Sequence, residues 1–347
     1  MRRRTVAVAA IVTLGTILTA CGGSDSPSAS SSSTTVPTTP PTSAPVRPAQ
    51  FGVGLQSHTF VDTSRVTPAE AGHPGAPTRT LPTAIFYPTT TPGSGAYGAD
   101  AVADAAPALA FGPYPVIVWA HGLTGNGVGD LDEFEPWIQA GYVVVAPTFP
   151  VSSGADAATL TSLGDLHNQP TDVSFVLTQV FKMVSDDTNA LHGVLDEKHV
   201  GAAGHSLGAA TVLAFYDKQY ADSRFKVVYE NSGGSLIKQG VKFDGITAPL
   251  LAAHGTVDDT LGYASDLQIW QRVAAPKFFL TLIGQGHDAP FFPPVGDPPT
   301  TLNVLVDQVA VAFFNTYLKH DATGIGRMKQ AGNSPSVATL RVDTGTG

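Results

Sequence analysis

The sequence predicts an α/β fold, a mostly parallel central sheet with helices on both faces and no large lid domain. Three observations carry this. Short continuous apolar runs, such as Val116-Ile117-Val118-Trp119-Ala120, read as strands buried on both sides. Amphipathic stretches alternate with these runs at the spacing of strand–helix units. Of 347 residues, 43% are hydrophobic and 14% charged, enough to bury one substantial core and too apolar for a disordered chain.

Taken in order, 52–61 and 80–87 are expected to be two antiparallel opening strands. The Gly/Ala/Pro-rich stretch 88–113 has no periodicity and reads as a loop. Strand 116–120 follows, then a helix over 130–140. Its early acids, Asp132, Glu133 and Glu135, are explained by the positive end of the helix dipole rather than by a metal. Strand 142–146 leads to a helix over 172–186, with Val173, Phe175, Val176, Val180 and Phe181 along one side. Strand 200–203 is followed by a helix over 209–216. Further strands are predicted at 225–229, 249–253 and 278–283, and a closing helix at 302–318. The polar stretch 321–347 is expected to be a loosely attached tail, leaving 51–320 as the folded domain.

The first 50 residues have a different character. Arg2, Arg3 and Arg4 precede an uncharged, mostly apolar run from 5 to 20, shorter than the ~20 residues of a membrane span and typical of an export signal. It ends in Leu18-Thr19-Ala20-Cys21, which resembles the lipobox of bacterial lipoproteins, and Cys21 is the chain's single cysteine. The resemblance implies cleavage after residue 20 and lipidation of Cys21, placing the protein at the outer face of a bacterial membrane. The segment 21–50 is rich in Ser, Thr and Pro and reads as an extended tether. One cysteine excludes an intrachain disulfide framework and multi-cysteine metal sites. A formal charge of −9 argues against nucleic-acid binding.

The chemistry is expected at strand ends. Gly204-His205-Ser206-Leu207-Gly208 matches G-x-S-x-G. The pentapeptide alone is a weak signal, but here it follows an apolar strand and opens a helix, as a nucleophile elbow must. Ser206 then needs a base to take its proton. Of ten histidines, His205 cannot easily turn back onto its neighbour, and His121 and His254 precede glycines at strand ends and read as structural. His58, His73, His167, His192, His199 and His320 fall in the first strand, in loops or at helix ends. His287, in Gly284-Gln285-Gly286-His287 after the last apolar strand, remains as the base. The acid that fixes its tautomer is Asp258 or Asp259, with Glu230 a third choice. An oxyanion hole requires two amides, assigned to Leu207 after the nucleophile and Leu123 in His121-Gly122-Leu123-Thr124-Gly125.

These segments together resemble the α/β-hydrolase superfamily over 51–320, most of all its dienelactone hydrolase, platelet-activating-factor acetylhydrolase-like and bacterial polyester-hydrolase branches. The matching stretches read RTLPTAIFYP, VIVWAHGLTG, GHSLG, HGTVDD and GQGHDAPF. The order serine, acid, histidine is that of this superfamily. The resemblance implies Asp258 as the acid, three residues after the strand-end glycine. Serine at 206, where the dienelactone branch often has cysteine, points to plain ester hydrolysis.

The expected function is therefore a lipid-anchored, exported serine carboxylesterase or lipase acting on a small-molecule or lipid ester through an acyl-enzyme. Its partners are expected to be that substrate and, through Cys21, the membrane, with the protein a monomer. A Ser–His–Asp site needs no metal, and no motif suggests a cofactor. Phe291 and Phe292 either line an acyl pocket or pack the loop, and Trp119, Leu123, Phe149 and Leu207 are expected to add apolar wall. Two rivals share the sequence: an amide or peptide hydrolase with the same triad, and a non-catalytic binding lipoprotein on the same fold.

Overall fold

The computed structural model describes residues 46–70, 73–91, 101–154, 164–236, 242–293 and 297–345. The expected signal peptide 1–20, Cys21 and all but the last five residues of the expected tether 21–50 lie outside them.

The described residues form ten strands and six α-helices. In chain order these are β1 (Gly52–Asp62), β2 (Arg79–Thr89), β3 (Val102–Ala103), β4 (Tyr114–Ala120), α1 (Leu131–Gln139), β5 (Val143–Pro147), α2 (Gln169–Val184), β6 (Leu195–His205), α3 (Leu207–Leu213), β7 (Phe225–Asn231), β8 (Leu250–Gly255), α4 (Tyr263–Arg272), β9 (Lys277–Leu282), α5 (Thr301–Leu318), α6 (Gly324–Gly332) and β10 (Ala338–Asp343). All ten strands join one sheet in the order β10-β9-β8-β7-β6-β4-β5-β2-β1-β3. The central ladders from β5 through β4, β6, β7 and β8 to β9 are parallel. β1 and β2 pair antiparallel over their whole length, and β2 and β10 join β5 and β9 antiparallel.

The continuous apolar runs are explained by two-sided burial. Along β4, Val116, Val118 and Ala120 face a core shared with α2 and α3, whereas Ile117 and Trp119 face a second core under α1 and α5. Every residue of β4 is buried, so no polar position survives to make an alternating pattern. α5 is apolar enough to seat Leu305, Val306, Val309, Phe313 and Phe314 against that second core. Its N-terminus is closed by a capping box between Thr300 and Asn303. Among the described residues no helix is long and apolar enough to cross a membrane.

One expectation is corrected and one helix is added. The stretch after residue 320 is not a loose tail: α6 packs Met328 into the second core, and β10 pairs residue by residue with β9, from Ala338 opposite Leu282 to Asp343 opposite Lys277. The folded unit accordingly extends past residue 320 through β10. Polar composition concealed this because an edge strand needs to bury only alternate residues, here Ala338 and Leu340. Helix α4, between β8 and β9, was not anticipated. Glu133 stands in the first turn of α1, as the helix-dipole reading expects, and both it and Glu135 are buried. Burial, with the nearby Asp307, pushes Glu133 well above the ordinary carboxylate range, and its Oε1 accepts from Asn231 Nδ2 at 2.8 Å.

Candidate active site

Ser206 stands alone between the end of β6 and the start of α3, with φ 55° and ψ −117°. A non-glycine residue with positive φ is strained and persists only where its surroundings fix it. Here the Ser206 N–H donates to Asn231 O of β7 at 2.8 Å, and its carbonyl accepts from Ala210 N at 3.2 Å. The small residues around it allow a close crossing of helix and strand. A Cβ on Gly208 would sit 1.9 Å from Ala120 O of β4, so a side chain there would push α3 off the sheet.

The structure brings the three residues singled out for chemistry together. Ser206 Oγ and His287 Nε2 are 2.8 Å apart, and His287 Nδ1 lies 2.7 Å from Asp258 Oδ2. Asp258, the alternative implied by the resemblance, is chosen over Asp259, which is exposed. Its other oxygen, Oδ1, accepts from the amides of Leu261 at 2.8 Å and Thr260 at 2.9 Å. Burial alone would raise the Asp258 pKa, but the hydrogen bonds and the charge of His287 outweigh it and hold the carboxylate below its ordinary range. Glu230 is buried one strand away and does not bond His287.

The two proposed oxyanion amides flank the serine. Leu207 is the first residue of α3, where no intrahelical acceptor exists for its N–H. Leu123 follows Gly122, whose missing Cβ would lie 3.4 Å from Ser206 Cβ and 3.3 Å from His205 Nδ1. Among the described residues neither amide has a backbone acceptor. His121 fixes this segment: its Nδ1 donates to Gly122 O at 2.7 Å, and its Nε2 accepts from Phe149 N at 3.0 Å. That pattern requires a neutral ring, and complete burial lowers the pKa to about 4.

The loop that carries His287 is held from two sides. The ring of His205 packs against His287, Phe291 and Phe292 at centroid distances of 4.9, 5.5 and 5.0 Å. Asn303 at the start of α5 donates to Ala289 O and Pro290 O, both at 3.1 Å. Phe291 is buried in this packing, which decides between the two roles left open for it. Trp119 and Phe149 are fully buried and Leu207 nearly so, so of the four residues expected to wall a pocket only Leu123, 37% exposed, offers a surface. A groove of about 990 Å³ lies elsewhere, between α1, α5 and α6, and none of the site residues lines it.

Behind Asp258 the structure adds residues that the sequence did not assign. His254 Nε2 faces Leu261 O at 2.9 Å and Asp258 Oδ2 at 3.1 Å, while its Nδ1 lies 2.5 Å from Asp266 Oδ2 of α4. A carbonyl and two carboxylates can only accept, so an imidazolium satisfies every contact at once. Burial opposes that charge, but the Asp266 carboxylate outweighs it and raises the His254 pKa. Next to Asp266, Glu230 is driven well above the carboxylate range by burial and by the neighbouring Asp266. His254 stands four residues before Asp258, a spacing visible in the sequence, but Asp266 was out of reach without α4.

Among the described residues His205, His287 and Asp288 have ligand atoms within 4.8 Å of one another. Both nitrogens of His287 are already engaged by Ser206 and Asp258. An ion there would dismantle the contact with the serine.

No family model and no curated protein matches the chain. Of the solved structures that do match, a ferulic acid esterase from Streptomyces cinnamoneus has a TM-score of 0.59 at 19% sequence identity, covering 82% of this chain and 93% of its own. At that identity the likeness is one of fold alone, a mostly parallel sheet covered by helices.

Proposed function

We propose that the chain is a serine hydrolase that cleaves carboxylic esters and is tethered through Cys21 to the outer face of a bacterial membrane. The observation that carries the chemistry is the continuous contact from Ser206 Oγ through His287 to Asp258, at 2.8 and 2.7 Å. Ser206 attacks the ester carbonyl as His287 Nε2 takes its proton, and Asp258 keeps Nδ1–H donating so that Nε2 is the free base. The amides of Leu123 and Leu207 receive the developing oxyanion. The tetrahedral adduct collapses, the alcohol leaves with the proton from His287, and water repeats the sequence on the acyl-enzyme. That a fold neighbour is an esterase is consistent with the same bond being cut here. The anchor rests on the three arginines, the apolar run and the single cysteine that ends it.

Ser206→Ala is expected to lower turnover of p-nitrophenyl esters by a factor on the order of 10⁴ or more with the fold intact. A fluorophosphonate probe should label the wild-type chain and not the variant. Near-normal hydrolysis by Ser206→Ala overturns the reading. Equal hydrolysis of a matched amide would change the bond assigned while keeping the nucleophile. Cys21→Ser should move the protein from the membrane fraction to the soluble one, and unchanged sedimentation with membranes removes the anchor.

A further inference from the structure

Far from Ser206 in the chain's folding pattern, two histidines from different elements meet at the surface. His199 belongs to β6, and His320 lies in the corner between α5 and α6. Their Nε2 atoms are 3.3 Å apart, and their rings stand at 81° with centroids 5.2 Å apart. His320 is exposed and the His199 side chain is 30% exposed, so water and ions reach both.

Each histidine is delivered by a local departure from regular structure. The ladder between β4 and β6 passes from Pro115 opposite Asp196 directly to Val116 opposite Val200. Glu197, Lys198 and His199 therefore bulge out of the ladder, the device by which a strand re-aims a side chain. On the other side His320 has φ 56°, a left-handed conformation that histidine adopts more readily than most residues. The bulge also returns Asp196, whose Oδ2 lies 2.7 Å from His199 Nδ1. With Nδ1–H donating to that carboxylate, the Nε2 lone pair of His199 is left free and faces His320 Nε2.

The geometry points to a surface site for a divalent transition metal, held by Nε2 of His199 and Nε2 of His320, with Asp196 orienting His199. Two imidazole nitrogens on a tetrahedral zinc, each about 2.0–2.1 Å from the ion, stand about 3.4 Å apart. The observed separation of 3.3 Å already matches this. Neutral imidazole selects Zn²⁺, Cu²⁺ or Ni²⁺ over Mg²⁺ and Ca²⁺. Water fills the remaining positions. The ion would staple the start of β6 to the α5–α6 corner and, by binding only the folded chain, stabilise it. The proposal is independent of the reaction at Ser206.

The test uses the untagged full chain titrated with Zn²⁺ or Cu²⁺ alone, read by calorimetry, by the copper spin-resonance spectrum and by melting temperature. Wild type is expected to bind one ion with nitrogen ligation and to melt higher with it. His320→Gln and His199→Gln should lose that binding, and Asp196→Asn should weaken it about 10–100-fold. All three variants should retain the ester hydrolysis of metal-free wild type. Mg²⁺ and Ca²⁺ should leave melting unchanged. Absence of binding to wild type overturns the proposal, as does binding that survives His320→Gln. Metal that instead inhibits ester hydrolysis in both wild type and His320→Gln would place the ion at His205, His287 and Asp288, and equally overturns it.

Discussion

Two buried charge clusters sit at different places in this fold, and they are built on different chemistry. At the start of β2, Arg79 is fully buried and its guanidinium bonds both Asp172 and Asp165. Arg65 adds a second cation, bridging Asp62 and Asp172 at 2.7 and 2.8 Å. A guanidinium never gives up its proton at ordinary pH, so this cluster is a fixed joint between β2 and α2. Behind Ser206 the cation is an imidazole, His254, in a row with Asp258, Asp266 and Glu230. The first cluster can only hold; the second can hold and titrate. The fold thus keeps its rigid charge at the β2–α2 joint and its adjustable charge behind Ser206.

Substitutions can break each half of this contrast. Asp258→Asn should have the largest effect, lowering turnover about 10³–10⁴-fold with little loss of stability, because the amide no longer enforces the productive His287 tautomer. Steady-state kinetics beside a melting curve checks both parts. A loss of under tenfold would detach Asp258 from the chemistry. Arg79→Met should do the reverse. It leaves Asp165 and Asp172 buried without their main partner, a cost of about 3–5 kcal/mol. Urea unfolding should show that cost while the rate per folded molecule stays at wild type. A small loss of stability would mean the Arg79 cluster is not the joint described.

The sequence disclosed this architecture unevenly, for physical reasons. Parallel strands such as β4 bury both faces, so their apolar runs stand out, and Ser206 and His287 were legible because each follows such a run. Asp258 and Asp259 are adjacent, and nothing local separates them; the fold does so by turning Asp258 inward onto two backbone amides and leaving Asp259 in solvent. α4 was missed because it buries little, Asp266 and Ile269. The His254–Asp266 pair went with it. β10 was missed because an edge strand shows only a short alternation. The pairing of His199 with His320 joins positions 121 residues apart and leaves no local trace.

A third prediction concerns the histidines that must stay neutral. Burial lowers His205 to about 3 and His121 to about 4. A base whose pKa is depressed by folding contributes stability that is present above its unfolded value and is lost as pH falls through the folded one. The window runs from about 6.5, the ordinary value, down to about 4 for His121. Its contribution to the acid loss is on the order of 3 kcal/mol. His121→Gln should flatten the fall in urea-unfolding stability between pH 7 and pH 4.5. An unchanged slope would mean that acid unfolding is set by the carboxylates instead.

The smallest expected effect tests the adjustable cluster most directly. His254 faces only acceptors, Leu261 O and the carboxylates of Asp258 and Asp266, so its contacts are satisfied by an imidazolium standing 3.1 Å from the Asp258 carboxylate, and Asp266 raises its pKa against the opposing pull of burial. A cation there repels a second positive charge beside it, where His287, the proposed base, stands. Removing it by His254→Gln should move the acid limb of the kcat/KM profile to higher pH by a fraction of a unit. Above that limb the plateau should fall by less than about tenfold, since Leu261 and Thr260 still hold Asp258. Stability supplies the second readout. A group whose pKa is raised on folding stabilises fully below its ordinary value, about 6.5, and loses that contribution as pH rises through the folded value. Wild type should therefore lose stability above neutral pH faster than His254→Gln. The structural role of a well-packed ring would lower stability equally at every pH and leave the rate profile where it was. A shift in both curves, in these opposite directions, marks a charge acting on the triad.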